Sequence, residues 1–214
     1  DNVMKYISEQ SSSPNYVFKE KHSQSIGTIS STHHPNFLNK KEIEMVEKYS
    51  KSLSINQSKT GNRKTGPELN SKRKSLNGWI NFNNEHAWLY NKCFHSALEN
   101  IWGFDVTGIH DSIQYTIYEP SNTTDAFYGT HTDIGPDTWW RKISMTIQLS
   151  EPDEFEGGGL QIEHPCGELK WQNTPHYDRG DMIMFPSIRR HQALPVTKGT
   201  RKCLVIWVSG PPLR

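Results

Sequence analysis

The apolar positions change their period along the chain. From Asn39 they fall at helical spacing: Phe37 and Leu38 precede an N-cap type residue, Glu42 stands three positions on, and Ile43, Val46 and Tyr49 line one side. A second helical stripe of Trp88, Leu89, Phe94, Leu98 and Ile101 runs from Asn84 to Trp102 and stops at Gly103. Beyond it the apolar runs shorten to strand length and are separated by turn residues: Ser112 to Tyr118, Lys142 to Leu149, Leu160 to Glu163, Asp181 to Phe185, and Lys202 to Val208. Helices followed by a run of strands predict an α+β, mainly β chain whose helices buttress a sandwich or barrel. No internal repeat is visible.

Two stretches break these patterns. Residues 1–35 are rich in Ser, Asn, Lys and His, with one candidate strand at Tyr16-Val17-Phe18, and are expected to form a polar, partly irregular arm. Residues 51–75 carry Lys59, Gly61, Arg63, Lys64, Gly66, Pro67, Lys72, Arg73 and Lys74 with few apolar positions, which reads as a long basic loop. A solvated loop is the plain interpretation, a substrate lid the second and a nucleic-acid clamp the third. At 214 residues the chain suits one compact domain with an extension. The expected division is the arm at 1–35 and a single domain at 36–214, with helical support and basic loop in 36–110 and the strand core in 111–212.

Charge adds an exclusion. Lys plus Arg (24) balances Asp plus Glu (23), so no global field recruits nucleic acid or an anionic membrane. The apolar runs are too short to span a bilayer. Cys93, Cys166 and Cys203 are scattered, odd in number and without a CxxC pair, which points to a reducing compartment. The polar start Asp1-Asn2-Val3-Met4 shows no signal-peptide pattern, and a cytoplasmic location is expected.

The candidate chemistry begins at His131-Thr132-Asp133. In a strand, residues i and i+2 project from one face, so an imidazole and a carboxylate can reach a single metal. Such a pair also arises by chance, as at His176-Tyr177-Asp178. A third ligand separates the two. Two His and one carboxylate form the facial set of non-haem Fe(II) oxygenases, which leaves positions open for co-substrate and O2. His191 lies 58 positions beyond Asp133, enough chain for several strands to return, whereas the step from Asp178 to His191 is too short for that. Arg201 follows ten positions after His191. If a strand starts there, Arg201, Cys203, Val205 and Trp207 share one face, and an inward guanidinium needs an anion. Its planar fork suits the distal carboxylate of a dicarboxylic co-substrate; an ion pair with a core acid is the alternative. The indoles of Trp139 and Trp140, just after the metal pair, are read as a wall for substrate, with ordinary packing the alternative. Arg179-Gly180-Asp181 is read as turn chemistry at the start of a core strand.

Together these residues resemble the 2-oxoglutarate/Fe(II)-dependent dioxygenase superfamily, in its prolyl-4-hydroxylase-like branch with the PKHD-type relatives. The likeness covers roughly residues 75 to 212 and rests on an ordered series: His131-x-Asp133, Ile143 to Ser150, Glu156-Gly157-Gly158-Gly159-Leu160, Gly180 to Ser187, then His191 and Pro195 to Arg201. It implies a double-stranded β-helix (jelly-roll, cupin-like) core supported by the N-terminal helices. It further implies Fe(II) on His131, Asp133 and His191, and 2-oxoglutarate as co-substrate near Arg201, with Tyr118, Gln148 and Tyr128 as further binding positions. O2 would be the second co-substrate and ascorbate a stimulant. The implied reaction is hydroxylation, first of all of a prolyl residue in a peptide or protein, with release of succinate and CO2. A free amino acid, a small metabolite or a nucleobase is the alternative substrate, and a non-catalytic metal-binding module the alternative function.

Overall fold

The structure is a computed structural model that describes residues 29–58, 72–164, 171–174 and 178–212. The candidate strand at Tyr16-Val17-Phe18, most of the arm, the centre of the basic loop, Cys166 and His176 lie outside the described residues. In chain order the elements are β1 (Thr32–His34), α1 (Lys40–Ser50), β2 (Asn56–Gln57), β3 (Arg73–Lys74), β4 (Leu76–Ile80), α2 (Ala87–Leu98), β5 (Ile113–Tyr118), β6 (Ala126–His131), β7 (Arg141–Gln148), β8 (Phe155–Gly157), β9 (Leu160–Glu163), β10 (Trp171–Asn173), β11 (Met182–Pro186), β12 (His191–Gly199) and β13 (Arg201–Ser209).

The strands form two antiparallel sheets. One has the order β1-β11-β7-β13-β5-β4-β2, and the other β10-β9-β12-β6-β3 with β8 also paired to β12. They face one another as a double-stranded β-helix. Strand β13 shows how one sequence period builds two layers. Its residues Arg201, Cys203, Val205 and Trp207 line an internal cavity, while Leu204, Ile206 and Val208 are buried in the core under the helices. That core also takes Ile43 and Val46 from α1, and Leu89, Tyr90, Cys93 and Ala97 from α2. Helix α1 starts at the expected capping box: Glu42 N–H donates to Asn39 Oδ1 at 3.1 Å, and Asn39 N–H donates to Glu42 Oε2 at 2.8 Å. Such a cap is worth about 1 kcal/mol.

Several local expectations are corrected. Helix α2 is shorter than the apolar stripe implied, and Leu98 is 52% exposed because it sits one position past the buried Ala97, about 100° round the helix. Within the stretch read as arm, Thr32 to His34 pair with Met182 to Met184 at the edge of the larger sheet. Asp181 secures that edge, since its carboxylate accepts from Asn36 N–H at 2.8 Å, the His33 ring at 2.7 Å and Asp178 N–H at 3.1 Å. Within the basic stretch, Arg73 and Lys74 pair with Tyr128 and Phe127, and Arg73 is buried rather than solvated. Strands β6 and β12 lacked a clean period-2 signal because polar His131 and His191 face the cavity and register shifts interrupt their pairing between His191 and Ala193 and between Ala193 and Val196. Among the described residues, no helix is long and apolar enough to cross a membrane.

Candidate active site

Antiparallel pairing of β6 with β12 places His131 directly opposite His191. The expected strand geometry for His131 and Asp133 holds only in part: β6 ends at His131, and Asp133 lies in the bend beyond it. That bend is shaped from the other sheet. Asp133 N–H donates to Ser187 O at 3.0 Å, and Thr138 Oγ1 donates to Asp133 O at 2.8 Å. The result brings His131 Nε2 to 3.6 Å from Asp133 Oδ1 and His191 Nε2 to 3.4 Å from Asp133 Oδ2. One ligand atom from each residue lies within 4.8 Å of the others.

The surroundings prepare these atoms for a cation. His131 Nδ1 is 2.8 Å from Gly129 O, and His191 Nδ1 is 2.9 Å from Arg189 O. A carbonyl only accepts, so each Nδ1 carries the proton and each Nε2 offers a lone pair inward. Burial alone would push the Asp133 carboxyl up, but His191, His131 and the Ser144 hydroxyl outweigh it and hold it well below the usual carboxylate range. Ser144 Oγ donates to Asp133 Oδ2 at 2.6 Å and is itself 2.9 Å from Ser187 Oγ. Aromatic rings flank both imidazoles: Tyr128 stacks on His131 with centroids 3.5 Å apart, and Phe185 meets His191 edge-on at 4.7 Å. Two imidazoles whose Nε2 atoms face one carboxylate fit a divalent transition metal, and the mixed N/O set suits Fe(II).

The cavity beside these residues measures about 410 Å³. Arg201 stands on its wall, 3% exposed, with its guanidinium carbon 5.4 Å from the Tyr118 ring centroid and its backbone paired to Tyr118. Burial pushes the Tyr118 phenol far above its ordinary value, so the hydroxyl stays protonated as a donor. Two glycines allow the chain to close over Arg201. Gly157 and Gly158 hold φ of 80° and 68°; a Cβ on Gly157 would meet Pro195 O at 2.1 Å, and one on Gly158 would meet Val196 Cγ2 at 2.7 Å and Arg201 Cδ at 3.0 Å.

Three expected site residues stand off the cavity lining. Gln148 does not line the cavity: its Oε1 accepts from Arg201 Nε at 3.2 Å and its amide N–H donates to Ser150 O at 3.3 Å, so it positions the guanidinium. Trp139 and Trp140 do not line the cavity either. Trp140 Nε1 donates to Asp111 Oδ2 at 3.1 Å, and Trp139 is 47% exposed. The indoles on the cavity wall are Trp79 and Trp207, 6.4 Å apart, with the Arg141 guanidinium 3.7 Å over Trp207. Sequence reasoning missed Arg73, Arg141, Ser144 and Trp79, and it set Trp207 on the inward face of its strand without giving it a role. For Ser144 a signal existed: Ser144, Thr146 and Gln148 place polar residues at period 2 inside an otherwise apolar strand.

With this geometry in view, the comparisons with known proteins converge. Residues 113–209, which hold both histidines, Asp133 and Arg201, match the family described as the 2OG-Fe(II) oxygenase superfamily. Over these residues the chain is similar to that superfamily. Relatives include a PKHD-type hydroxylase of Crocosphaera subtropica, 37% identical over 101 residues, which are 45% of this chain and 42% of the relative. Another, from Idiomarina loihiensis, is 42% identical over 83 residues, covering 38% of this chain and 36% of the relative. The chain thus spans less than half the length of these curated relatives. Among solved structures, a Pseudomonas putida prolyl-4-hydroxylase superposes with a TM-score of 0.63 at 17% identity, over 89% of this chain and 98% of its own. A Trichoplax adhaerens prolyl hydroxylase, solved with a hypoxia inducible factor oxygen degradation domain peptide fragment, gives 0.63 at 16% identity, over 89% and 91%. At those identities the likeness concerns the oxygenase fold.

Proposed function

We propose that this protein is an Fe(II)- and 2-oxoglutarate-dependent hydroxylase acting on a prolyl residue of a peptide or protein. The observation that carries the reading is the convergence of His131, Asp133 and His191 on a cavity that also exposes the buried Arg201 guanidinium. Bound Fe(II) would couple decarboxylation of 2-oxoglutarate, to succinate and CO2, with insertion of one oxygen atom of O2 into a substrate C–H bond. The protein's part is to hold, orient and shield. His131 and His191 offer Nε2 because their Nδ1–H groups are committed to Gly129 O and Arg189 O. Arg201, steadied by Gln148 and Tyr118, takes the distal carboxylate of the co-substrate as a charge-assisted pair. Tyr128 and Phe185 keep water from the imidazole faces.

The prolyl assignment is supported by the names of the relatives and of the structural neighbours, and by a cavity wall of Trp79 and Trp207 against which a small apolar ring can pack. A cytoplasmic setting belongs to the same proposal, supported by the free, buried thiols of Cys93 and Cys203. Anaerobic titration with Fe(II) should give a charge-transfer absorbance that appears only when 2-oxoglutarate is added, and Arg201→Ala should raise the 2-oxoglutarate concentration it requires. Succinate release and a mass gain of one oxygen, compared across prolyl peptides, free amino acids, metabolites and nucleobases, identify the substrate. Absence of the absorbance in the wild-type protein would overturn the reading.

A further inference from the structure

A second buried guanidinium on the cavity wall has no part in the chemistry above. Arg73 belongs to β3, at the edge of the smaller sheet, where it pairs in register with Tyr128. It is 7% exposed and lines the cavity. Its Nε–H donates to Ser75 Oγ at 2.8 Å, and Ser75 Oγ is 2.8 Å from Ser58 Oγ, so the base of the guanidinium is fixed from behind. The guanidinium carbon lies 4.4 Å from the Tyr128 ring centroid. His131 already covers one face of that ring, with centroids 3.5 Å apart, so Arg73 takes the other and guanidinium, phenol and imidazole form one stack.

What Arg73 lacks is an anion. Among the described residues no carboxylate pairs with it, and the acids nearest the cavity are committed elsewhere. Asp133 faces His131, His191 and Ser144, while Asp111 receives Arg141 and Trp140. A guanidinium withdrawn from water is costly unless a counter-charge joins it, and an aromatic face with the Ser75 and Tyr128 hydroxyls only partly replaces hydration. In the proposed loaded site, Asp133 and a dianionic co-substrate offset the metal and Arg201, and Arg141 is neutralised by Asp111. Among the described residues of the cavity, Arg73 then remains as the cation without an assigned partner.

We propose that Arg73 is a carboxylate receptor for the substrate, so that the substrate is an acid-bearing prolyl chain, with a free C-terminal carboxylate or an acidic side chain close to the prolyl ring. The proposal rests on the hydroxylase reading and names the substrate class within it. The planar fork presents parallel N–H donors to a carboxylate, and the Ser75 contact presets its orientation, so little freedom is lost on binding. The carboxylate is not transformed. Arg73 therefore governs which chains bind, and its loss should appear in KM for the acidic chain more than in kcat.

The test uses matched prolyl peptides that end in a free carboxylate or a carboxamide, and matched pairs with Glu or Gln beside the proline. Each is titrated into protein loaded with Mn(II) and 2-oxoglutarate, following tryptophan fluorescence from the cavity wall, for wild type, Arg73→Gln, Arg73→Lys and Arg201→Gln. Wild type should bind at least one acid form roughly ten- to hundredfold tighter than its amide partner. Arg73→Gln should erase that preference and leave 2-oxoglutarate affinity unchanged, whereas Arg201→Gln should weaken 2-oxoglutarate binding. Equal binding of acid and amide by wild type overturns the proposal. So does a drop in 2-oxoglutarate affinity in Arg73→Gln as large as in Arg201→Gln, which would assign Arg73 to the co-substrate. If Arg73→Gln fails to fold, the wild-type preference and its reduction in Arg73→Lys decide the matter. Acid-selective binding without oxygen-dependent turnover would refute the hydroxylase reading and leave the Arg73 site standing; turnover without acid preference would do the opposite.

Discussion

Replacing Ser144 by alanine removes the hydrogen bond that orients the metal-facing carboxylate. Ser144 is fully buried, and its single hydroxyl proton goes to Asp133 Oδ2 at 2.6 Å, so Ser187 Oγ, 2.9 Å away, donates to Ser144 in turn. A charge-assisted hydrogen bond to a buried anion contributes about 1.5–3 kcal/mol. At about 1.4 kcal/mol per factor of ten, losing it should weaken metal binding by about 10- to 100-fold, the range seen when groups that orient a ligand are removed. The assay is Mn(II) affinity by competition with a chromophoric chelator, for wild type, Ser144→Ala, Ser187→Ala and the double variant. Ser187→Ala should cost less than Ser144→Ala, because it leaves the contact to Asp133 in place. The double variant should cost about the same as Ser144→Ala alone, since that change already cuts the relay. Melting of the metal-free protein provides the control. A Ser144→Ala protein that melts several degrees lower yet binds Mn(II) like wild type would refute the reasoning and make Ser144 a purely structural residue.

Three further outcomes follow from the geometry. Burial pushes the Asp181 carboxyl up, but Asn36 N–H, the His33 ring and Asp178 N–H outweigh it and hold it below its ordinary value. A folded-state pKa below the unfolded one, about 3.9, gives stability that is present above that pH and is lost as pH falls through the folded value. Asp181→Asn should therefore melt lower at neutral pH and lose less than wild type on acidification; parallel melting-against-pH curves would contradict this. Gly158→Ala places a Cβ at φ 68° and 3.0 Å from Arg201 Cδ, so it should cost about 1–2 kcal/mol in chemical denaturation and raise the KM for 2-oxoglutarate. A stability loss with unchanged KM would separate the glycine from the Arg201 pocket. Trp207→Ala, which strips a cavity wall and the stacking partner of Arg141, should raise substrate KM, while Trp139→Ala should not, as measured by initial rates of succinate release.

Much of the site was legible because its spacing is short-range or periodic. The capping box of α1 needs only Asn39 and Glu42, three positions apart. The inward face of β13 needs only the period of two from Arg201, and the structure puts Arg201, Cys203, Val205 and Trp207 on the cavity wall. His131, Asp133 and His191 were separated from the pair at His176 and Asp178 by chain length, and the pairing of β6 with β12 sets His131 opposite His191. Gln148 and the Trp139-Trp140 pair lie off the cavity lining for one reason: sequence distance reports the neighbourhood of a backbone, whereas direction depends on which sheet face the strand presents and where the chain bends.

The sequence alone therefore determined the two helices, the strands at β5, β7, β9, β11 and β13, and the grouping of His131, Asp133 and His191 with Arg201, all consequences of local period and separation along the chain. Tertiary structure decided the rest. It brought Ser144 of one sheet to Asp133 beyond the end of a strand in the other, a contact between residues 11 positions apart that no helical or strand period connects. It turned Arg73, one cation in a run of basic residues, into a buried guanidinium stacked on Tyr128, because β3 joins the edge of the smaller sheet. It also put the indoles of Trp79 and Trp207, rather than those of Trp139 and Trp140, on the cavity lining. Burial and facing are set by pairing between distant strands, and that pairing converts a run of charges into one specific receptor.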